Sequence, residues 1–220
     1  MQRIFILTLL LSSCSLVDSN NIAPGYSEAF VTIKAALFGV ESNEDLNREI
    51  IDAIPYASLI LKIGNGPEGL MILESIKKDR FTWVSADGIR LVIQNGRIIS
   101  SSGLFNNLKS LNLPKKAFDF SQDPDESGQS FYSYYTFSDP TLIDLKVSHT
   151  LSTIEEEEVN ILGIKKKILL YREIIESKKI RWKSENRYWL DENKFVWKSE
   201  QTISPKLPVF YYQITKKPSY

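Results

Sequence analysis

The sequence is poor in the side chains that bind soft metals or form disulfides. Its 220 residues include one cysteine, Cys14, and one histidine, His149. A single cysteine excludes an intramolecular disulfide, and a single histidine excludes a zinc site with several imidazole ligands. A Ser–His–Asp arrangement would have to use His149, which we interpret as a strand residue without a catalytic role. The sequence therefore predicts no metal, no cofactor and no catalytic residue.

The sequence also lacks an excess of charge and a long apolar run. Its 27 basic and 27 acidic residues give a formal net charge of zero, which argues against a protein that binds nucleic acid through bulk electrostatics. A membrane-spanning helix needs roughly 20 apolar residues. The apolar run at residues 4–11 is less than half that length and has the size of a signal-peptide core.

The residues after this run indicate lipid modification. Leu11-Ser12-Ser13-Cys14 resembles a bacterial lipobox, with an aliphatic residue and two small residues before the cysteine that receives the diacylglycerol. We predict a signal peptide over residues 1–13 and an acylated Cys14, since a lipidated thiol is safe in an oxidising compartment where a free one is not. The alternative is an ordinary secretory signal that contains a cysteine.

The predicted lipid determines where the protein would reside. Several acyl chains hold a soluble domain firmly to a membrane surface, and residues 14–25 have the composition of a flexible tether. Ser15, rather than aspartate, follows the cysteine. In enteric-type sorting this resembles the pattern of proteins sent to the outer membrane, facing the periplasm.

Residues 26–220 are predicted to form a single β-rich domain, or two β halves joined by an acidic loop at 119–128. Apolar spacings predict a helix over residues 26–38 and another over 44–53, capped by Ser42 or Asn43 and ended by Pro55. Residues 103–113 are predicted to be a helical turn plus loop. The predicted strands are 56–63, 70–76, 80–85, 89–94, 97–101, 129–137, 143–154, 158–162, 164–175, 180–190, 195–203 and 209–215.

Short strands joined by tight turns favour an antiparallel meander. The Asn95-Gly96 pair is a strong signal for a two-residue hairpin turn. We expect a mainly β fold, a barrel or a curved sandwich, with one or two short N-terminal helices packed on it. The glutamates at 155–158 and the lysines at 165–167 are expected to face each other across a hairpin.

Several stretches of the chain resemble the YjbF/GfcB family of lipoproteins, which is linked to exopolysaccharide and group 4 capsule production. The stretches occur in family order: 54–59 (IPYASL), 83–87 (WVSAD), 95–98 (NGRI), 103–108 (GLFNNL), 186–191 (NRYWLD) and 197–201 (WKSEQ). The resemblance implies a barrel-like domain at the outer membrane with a role in surface polysaccharide assembly or export. It implies no catalytic residue.

A cluster of basic and aromatic residues near the C-terminus is the most suggestive binding constellation. Aromatic rings can stack on sugars, and Arg or Lys can pair with the carboxylate or phosphate groups of an acidic glycan. Strand alternation places Arg187 and Trp189 on one face, and we add Arg181 and Trp197 as candidates. The alternative is structural, with aromatic rings filling the interior and charges facing water. Asp87 and Asp191 are interpreted as turn formers rather than a catalytic pair.

These observations predict an accessory lipoprotein, not an enzyme, that binds an acidic polysaccharide or a protein of the export machinery. One alternative is a polysaccharide-modifying enzyme of the glycosidase type, which would need two facing carboxylates in a cleft. Another is a barrel that binds lipid or lipopolysaccharide, which would need an apolar cavity instead of a filled core.

Overall fold

The computed structural model describes residues 47–118 and 129–219. It begins with a short helix, α1 (Arg48–Ala53), whose cap is Asn47 rather than the predicted Ser42 or Asn43. Asn47 has extended backbone angles, so the helix cannot continue through it, and its side chain accepts the Ile50 N–H at 3.1 Å. The predicted helix over 26–38 lies outside the described residues. Within those residues, no helix has the length and apolar character needed to cross a bilayer.

Twelve strands follow, and every one except β6 overlaps a predicted strand. Two short 3-10 helices, Lys115–Phe118 and Lys178–Ile180, lie in the connections after β6 and β9. The strands are β1 (Ser58–Ile63), β2 (Glu68–Lys77), β3 (Arg80–Ser85), β4 (Arg90–Gln94), β5 (Arg97–Ser102), β6 (Leu108–Asn112), β7 (Gln129–Phe137), β8 (Leu142–Ile161), β9 (Ile164–Ser177), β10 (Trp182–Leu190), β11 (Val196–Gln201) and β12 (Phe210–Lys216).

All twelve strands belong to one antiparallel sheet that curls into a nearly closed barrel. Apart from β5 and β6, strands that are consecutive in sequence pair with each other, and β12 also pairs with β1. The ladder therefore runs from β5 back through β1 to β12 and on to β6. The fold class predicted from the sequence is therefore confirmed. Strands from both sides of the 119–128 segment lie in this one sheet.

The barrel has a seam between β5 and β6, which lie side by side without a described backbone ladder. Serine hydroxyls replace part of that ladder. Ser101 Oγ accepts the Leu108 N–H at 2.9 Å, and Ser100 Oγ donates to the Lys109 carbonyl at 3.3 Å. The seam thus depends on side chains where the rest of the barrel depends on backbone hydrogen bonds.

The prediction of a helical turn plus loop over 103–113 is wrong, because residues 108–112 form β6. Leu108 and Leu111 are three residues apart, a spacing typical of one helix face. A bulge between Leu108 and Ser110 inserts one extra residue, so both leucines face the barrel interior from a strand.

The division of 143–154 and 158–162 into two strands is also wrong, because β8 is continuous through the glutamate run. The far part of the β8–β9 hairpin extends beyond the end of β10, which pairs only as far as Leu169. Charged side chains are tolerated on such a two-stranded extension because water reaches them. The expected pairing across this hairpin is confirmed: Lys165 Nζ lies 2.9 Å from Glu158 Oε1.

The barrel interior is filled with large side chains, among them Leu59, Trp83, Tyr171 and Phe210, all less than 2 % exposed. Outside the barrel, α1 packs its isoleucines against β2 and β3. Arg48 fastens the helix by donating to the carbonyls of Thr215 and Ile161, the latter at the tip of the β8–β9 hairpin.

Candidate functional site

A cluster of polar side chains lies inside the barrel near the seam. Arg97 Nη1 on β5 donates to both oxygens of Glu173 on β9, at 2.7 Å each, and Arg97 Nε donates to the Ala117 carbonyl at 2.9 Å. The Tyr188 hydroxyl accepts from Arg97 at 2.9 Å and donates to Glu173 at 2.8 Å. His149 Nδ1 lies 2.9 Å from Glu173 Oε1. These contacts connect β5 with strands on the opposite side of the seam.

The two central charges stabilise each other. Burial alone would raise the pKa of Glu173, but the positive charge of Arg97 and the hydrogen bond from His149 lower that pKa well below its ordinary value. Burial would lower the pKa of Arg97, yet the carboxylate of Glu173 raises it. Both side chains are therefore charged at neutral pH, as a buried pair must be to hold its geometry.

Part of this cluster has the connectivity of a hydrolase triad. Ser133 Oγ lies 2.5 Å from His149 Nε2, whose ring contacts Glu173 through Nδ1. All three side chains are at most 1 % exposed, and Phe131 stacks on the imidazole at 4.6 Å. A substrate could reach Ser133 Oγ only if the barrel opened. His149 lies on strand β8, as predicted, and its contacts hold strands together.

Arg187 and Trp189 lie on the same face of β10, as the alternation predicted, and the structure shows that this face is outward. Arg187 Nε donates to Glu185 Oε1 at 2.8 Å, and its Nη1 lies 3.5 Å from Glu200 Oε2. These carboxylates raise the pKa of Arg187, and the main cause is the hydrogen bond that Arg187 donates to Glu185. The guanidinium is thus already matched by acidic neighbours from its own sheet.

Trp189 presents little of its ring to solvent. It is 5 % exposed, its Nε1 donates to Glu157 Oε2 at 2.9 Å, and Lys198 Nζ lies 4.2 Å from its ring centroid. Trp197 belongs to the interior core and donates to a turn aspartate. Arg181 lies in the exposed β9–β10 turn, at the opposite end of β10 from Trp189. Of the four predicted binding residues, the structure therefore brings Arg187 and Trp189 together on one face.

Asp87 and Asp191 act in turns, as predicted. Asp87 accepts the hydroxyl of Ser85, and Asp191 Oδ1 accepts the backbone N–H groups of Asn193 and Phe195 at 2.9 and 3.0 Å. Asp87 follows β3 and Asp191 follows β10, so the two turns lie at opposite ends of the up-and-down barrel. They do not form a carboxylate pair.

Next to Arg187 and Trp189, the outer face of β1, β12 and β11 holds a groove of about 340 Å³. Strand register aligns its walls with the two predicted residues. One row across the sheet contains Lys62, Tyr211, Glu200 and Arg187, and the next contains Ile60, Gln213, Lys198 and Trp189. Directly opposed residues of an antiparallel ladder point to the same face. We call this surface the groove.

The groove contains both positively charged hydrogen-bond donors and negatively charged acceptors. Lys62, Lys198 and Gln213 supply donors, while Glu68 and Glu200 supply acceptors. Such a mixture suits a ligand rich in hydroxyl groups. Lys62, Tyr211 and Gln213 were missed by the sequence analysis, because the pairing of the first strand with the last is not visible in local patterns.

Metal chemistry has no evident site in the part of the chain described. Nowhere in residues 47–118 and 129–219 do three or more His, Cys, Asp or Glu side chains come together as a metal ion would require.

The described residues form a nearly closed antiparallel β-barrel with a filled, partly polar interior. The chain belongs to the family described as group 4 capsule polysaccharide lipoprotein gfcB, YjbF, whose model matches residues 30–214. The resemblance noted in the sequence is therefore confirmed. The chain is a capsule-associated lipoprotein by family.

Individual relatives agree with this membership. The chain is 26% identical over 169 residues to the uncharacterized lipoprotein GfcB of Escherichia coli (strain K12), covering 73% of this chain and 75% of that protein. It is 23% identical over 208 residues to the uncharacterized lipoprotein YjbF of the same organism, covering 91% and 90%.

A solved structure shares the architecture. The crystal structure of the hypothetical lipoprotein YmcC from Escherichia coli (K12) superposes with a TM-score of 0.71 at 22% sequence identity, covering 87% of this chain and 97% of that chain. This similarity concerns the fold alone.

Proposed function

We propose that this lipoprotein is a non-enzymatic accessory factor in exopolysaccharide or capsule assembly or export, and that it binds polysaccharide in the groove. The observation that supports this proposal most directly is the groove itself, a concave polar surface of about 340 Å³ next to Arg187. Pockets that bind small polar ligands are typically concave, with a few well-placed polar groups. A sugar ring with several hydroxyls meets that description.

The proposed location is the periplasmic face of the outer membrane, where acyl chains on Cys14 would hold the barrel close to the path of exported polysaccharide. Membership of a lipoprotein family supports the anchor. Replacing Cys14 with serine should remove the protein from the outer-membrane fraction, as measured by sucrose-gradient fractionation. Cys14→Ser protein that stays in the outer-membrane fraction would contradict the anchor.

The binding proposal can be tested with polysaccharide purified from the surface of the host bacterium. The double variant Lys62→Ala/Lys198→Ala should weaken binding by about tenfold, equivalent to about 1.4 kcal/mol, because it removes two donors from the groove. Isothermal titration with the full-length protein in detergent provides the measurement. Lys178→Ala/Lys179→Ala is the matched control, since it removes two exposed lysines from the distant β9–β10 turn.

Two results would overturn the proposal. One is equal affinity of the wild type and the Lys62/Lys198 variant. The other is a decrease in polysaccharide chain length during incubation, measured by size-exclusion chromatography, which would show that the protein cleaves its ligand.

A further inference from the structure

A second surface, on a different wall of the barrel, has chemistry that the groove lacks. Strand β7 points Tyr132 and Tyr134 outward, and these side chains are 58% and 43% exposed. Most aromatic side chains whose burial the structure describes are buried, so two exposed rings on one strand are unusual. We call the outward side of β6, β7 and β8 around Tyr132, Tyr134 and Lys146 the tyrosine face.

The two rings are spaced as a platform. Residues i and i+2 of a strand lie about 6.6–6.8 Å apart on the same face, so the rings occupy neighbouring positions along β7. Aromatic rings present large, rigid apolar surfaces with a polar hydroxyl at the edge. The apolar C–H side of a pyranose ring can stack on such a surface while its hydroxyls remain in water.

Basic side chains surround this platform. Lys146 lies opposite Tyr134 in the β7–β8 register, and its Nζ is 3.9 Å from the centroid of the Tyr132 ring. Lys116 donates to the Ser130 carbonyl at 2.9 Å, which places a second ammonium group beside the start of β7. Lys109 is exposed on the β6 bulge. Three cations therefore lie along one sheet face.

Among residues 47–118 and 129–219, carboxylates are scarce on the same surface. Neither β6 nor β7 contains an aspartate or glutamate. The carboxylates nearest in register are Asp144, near the start of β8, and Glu176, one strand further away. In the groove, by contrast, Lys62 and Lys198 are accompanied by Glu68 and Glu200. The tyrosine face is thus complementary to a negatively charged ligand, whereas the groove is not.

We propose that the tyrosine face binds an acidic polysaccharide, with Tyr132 and Tyr134 stacking on sugar rings and Lys146 pairing with carboxylate or phosphate groups. The remaining outward positions, such as Thr136, Ser148 and Thr150, supply hydroxyls for hydrogen bonds to the sugar. Strands β9 and β10 separate the tyrosine face on β6, β7 and β8 from the groove on β11, β12 and β1, so the two surfaces are distinct. The inference shares with the proposed function the class of ligand, a polysaccharide, but not the site.

The test uses full-length protein in detergent and two matched probes, polygalacturonate and its fully methyl-esterified form. Polygalacturonate should bind at least about tenfold more tightly than the neutral ester, and added salt should reduce the difference. The variant Tyr132→Ala/Tyr134→Ala should weaken polygalacturonate binding by about tenfold or more, because it removes both stacking surfaces. Tyr132→Phe/Tyr134→Phe keeps both rings and should bind like the wild type.

Charge is tested separately with Lys146→Met, which should weaken polygalacturonate binding and reduce its salt dependence. Circular dichroism confirms that each variant remains folded. Equal affinity for the acidic and esterified probes, or unchanged affinity in the Tyr132→Ala/Tyr134→Ala variant, would overturn the inference. Loss of binding in the phenylalanine variant would also overturn it, because the rings would then not be the binding element.

The two proposals can fail independently. If the Lys62→Ala/Lys198→Ala variant binds host polysaccharide like the wild type while the tyrosine variant does not, the groove proposal fails and the tyrosine face stands. The reverse result removes the tyrosine face and leaves the groove.

Discussion

The two faces of β7 use similar side chains for opposite purposes. Inward, Phe131 stacks on His149 and Ser133 contacts the same imidazole, and both side chains are buried. Outward, Tyr132 and Tyr134 leave about half of their surface in contact with water. One strand therefore supplies both contacts to the buried polar cluster around Arg97 and Glu173 and a surface available to a ligand.

This difference separates residues that maintain the barrel from residues that can act on a partner. A buried polar network has its groups satisfied internally, and removing one member leaves another without compensation. An exposed ring or ammonium group can be removed with little change in the free energy of unfolding. Substitutions inside should therefore change stability, and substitutions outside should change binding.

The largest effect is expected from Arg97→Met. It removes the cation that compensates Glu173 inside the barrel, and breaking a buried pair in this way costs about 3–5 kcal/mol. Urea denaturation followed by tryptophan fluorescence measures the change in the free energy of unfolding. Arg187→Met on the outer wall is the matched control and should change stability by less than about 1 kcal/mol. Equal losses would contradict the distinction between inside and outside.

Glu173→Gln should destabilise the barrel at neutral pH by about 3 kcal/mol, and the difference from the wild type should shrink in acid. The pKa of Glu173 is lowered in the folded state, so its stabilisation is present above its ordinary value of 4.5 and is lost as the pH falls below it. Because one proton is involved, the free energy of unfolding changes by at most about 1.4 kcal/mol per pH unit. A constant difference between pH 7 and pH 3 would show that Glu173 is not held ionised.

A smaller effect is expected from Ser133→Ala on the inward face of β7. The substitution removes the hydroxyl that contacts His149 Nε2 and should lower the free energy of unfolding by about 1–2 kcal/mol. Ser130→Ala, on the outward face of the same strand, should change it by less than about 0.5 kcal/mol. Thermal or urea unfolding of both variants provides the comparison. A larger loss of stability in Ser130→Ala than in Ser133→Ala would contradict the inward position of the Ser133 contact.

The smallest effect on stability is expected from Tyr132→Ala. Because the ring is mostly exposed, its loss should change the free energy of unfolding by less than about 0.5 kcal/mol even though polygalacturonate binding decreases. A large destabilisation would mean that the ring supports the sheet, and the loss of binding could then follow from loss of fold.

Local sequence patterns predicted most strands but not the buried polar cluster around Arg97 and Glu173. Alternation correctly placed Arg187 and Trp189 on one face, and the same alternation places Glu173 between Tyr171 and Ile175 on an apolar face that the structure shows to be inward. That inconsistency was a usable signal for a buried charge. Its partner was not predictable, because Arg97 lies 76 residues away and the two meet only when the sheet closes.

The candidate sites were predictable to a similar extent. The alternating pattern of β7 shows that Tyr132 and Tyr134 share a face, but it does not show which face is outward, since Phe131 and Tyr135 are equally aromatic. The groove depends on the register between β1 and β12, which are separated by most of the chain. Such long-range pairings are set by closure of the whole sheet rather than by any short segment.

For a protein anchored through an acylated Cys14, as proposed above, the position of the seam has a mechanical consequence. A pull through the N-terminal segment acts first on α1, which Arg48 holds to the carbonyls of Thr215 and Ile161, and then on β1. Strand β1 has a neighbour with backbone hydrogen bonds on each side, β2 and β12. If the seam lay between the first and last strands, β1 would be an edge strand, and the same tension would separate it from the sheet one hydrogen bond at a time. Here the load is shared by two ladders, and the weakest line of the barrel lies several strands away from the point of attachment.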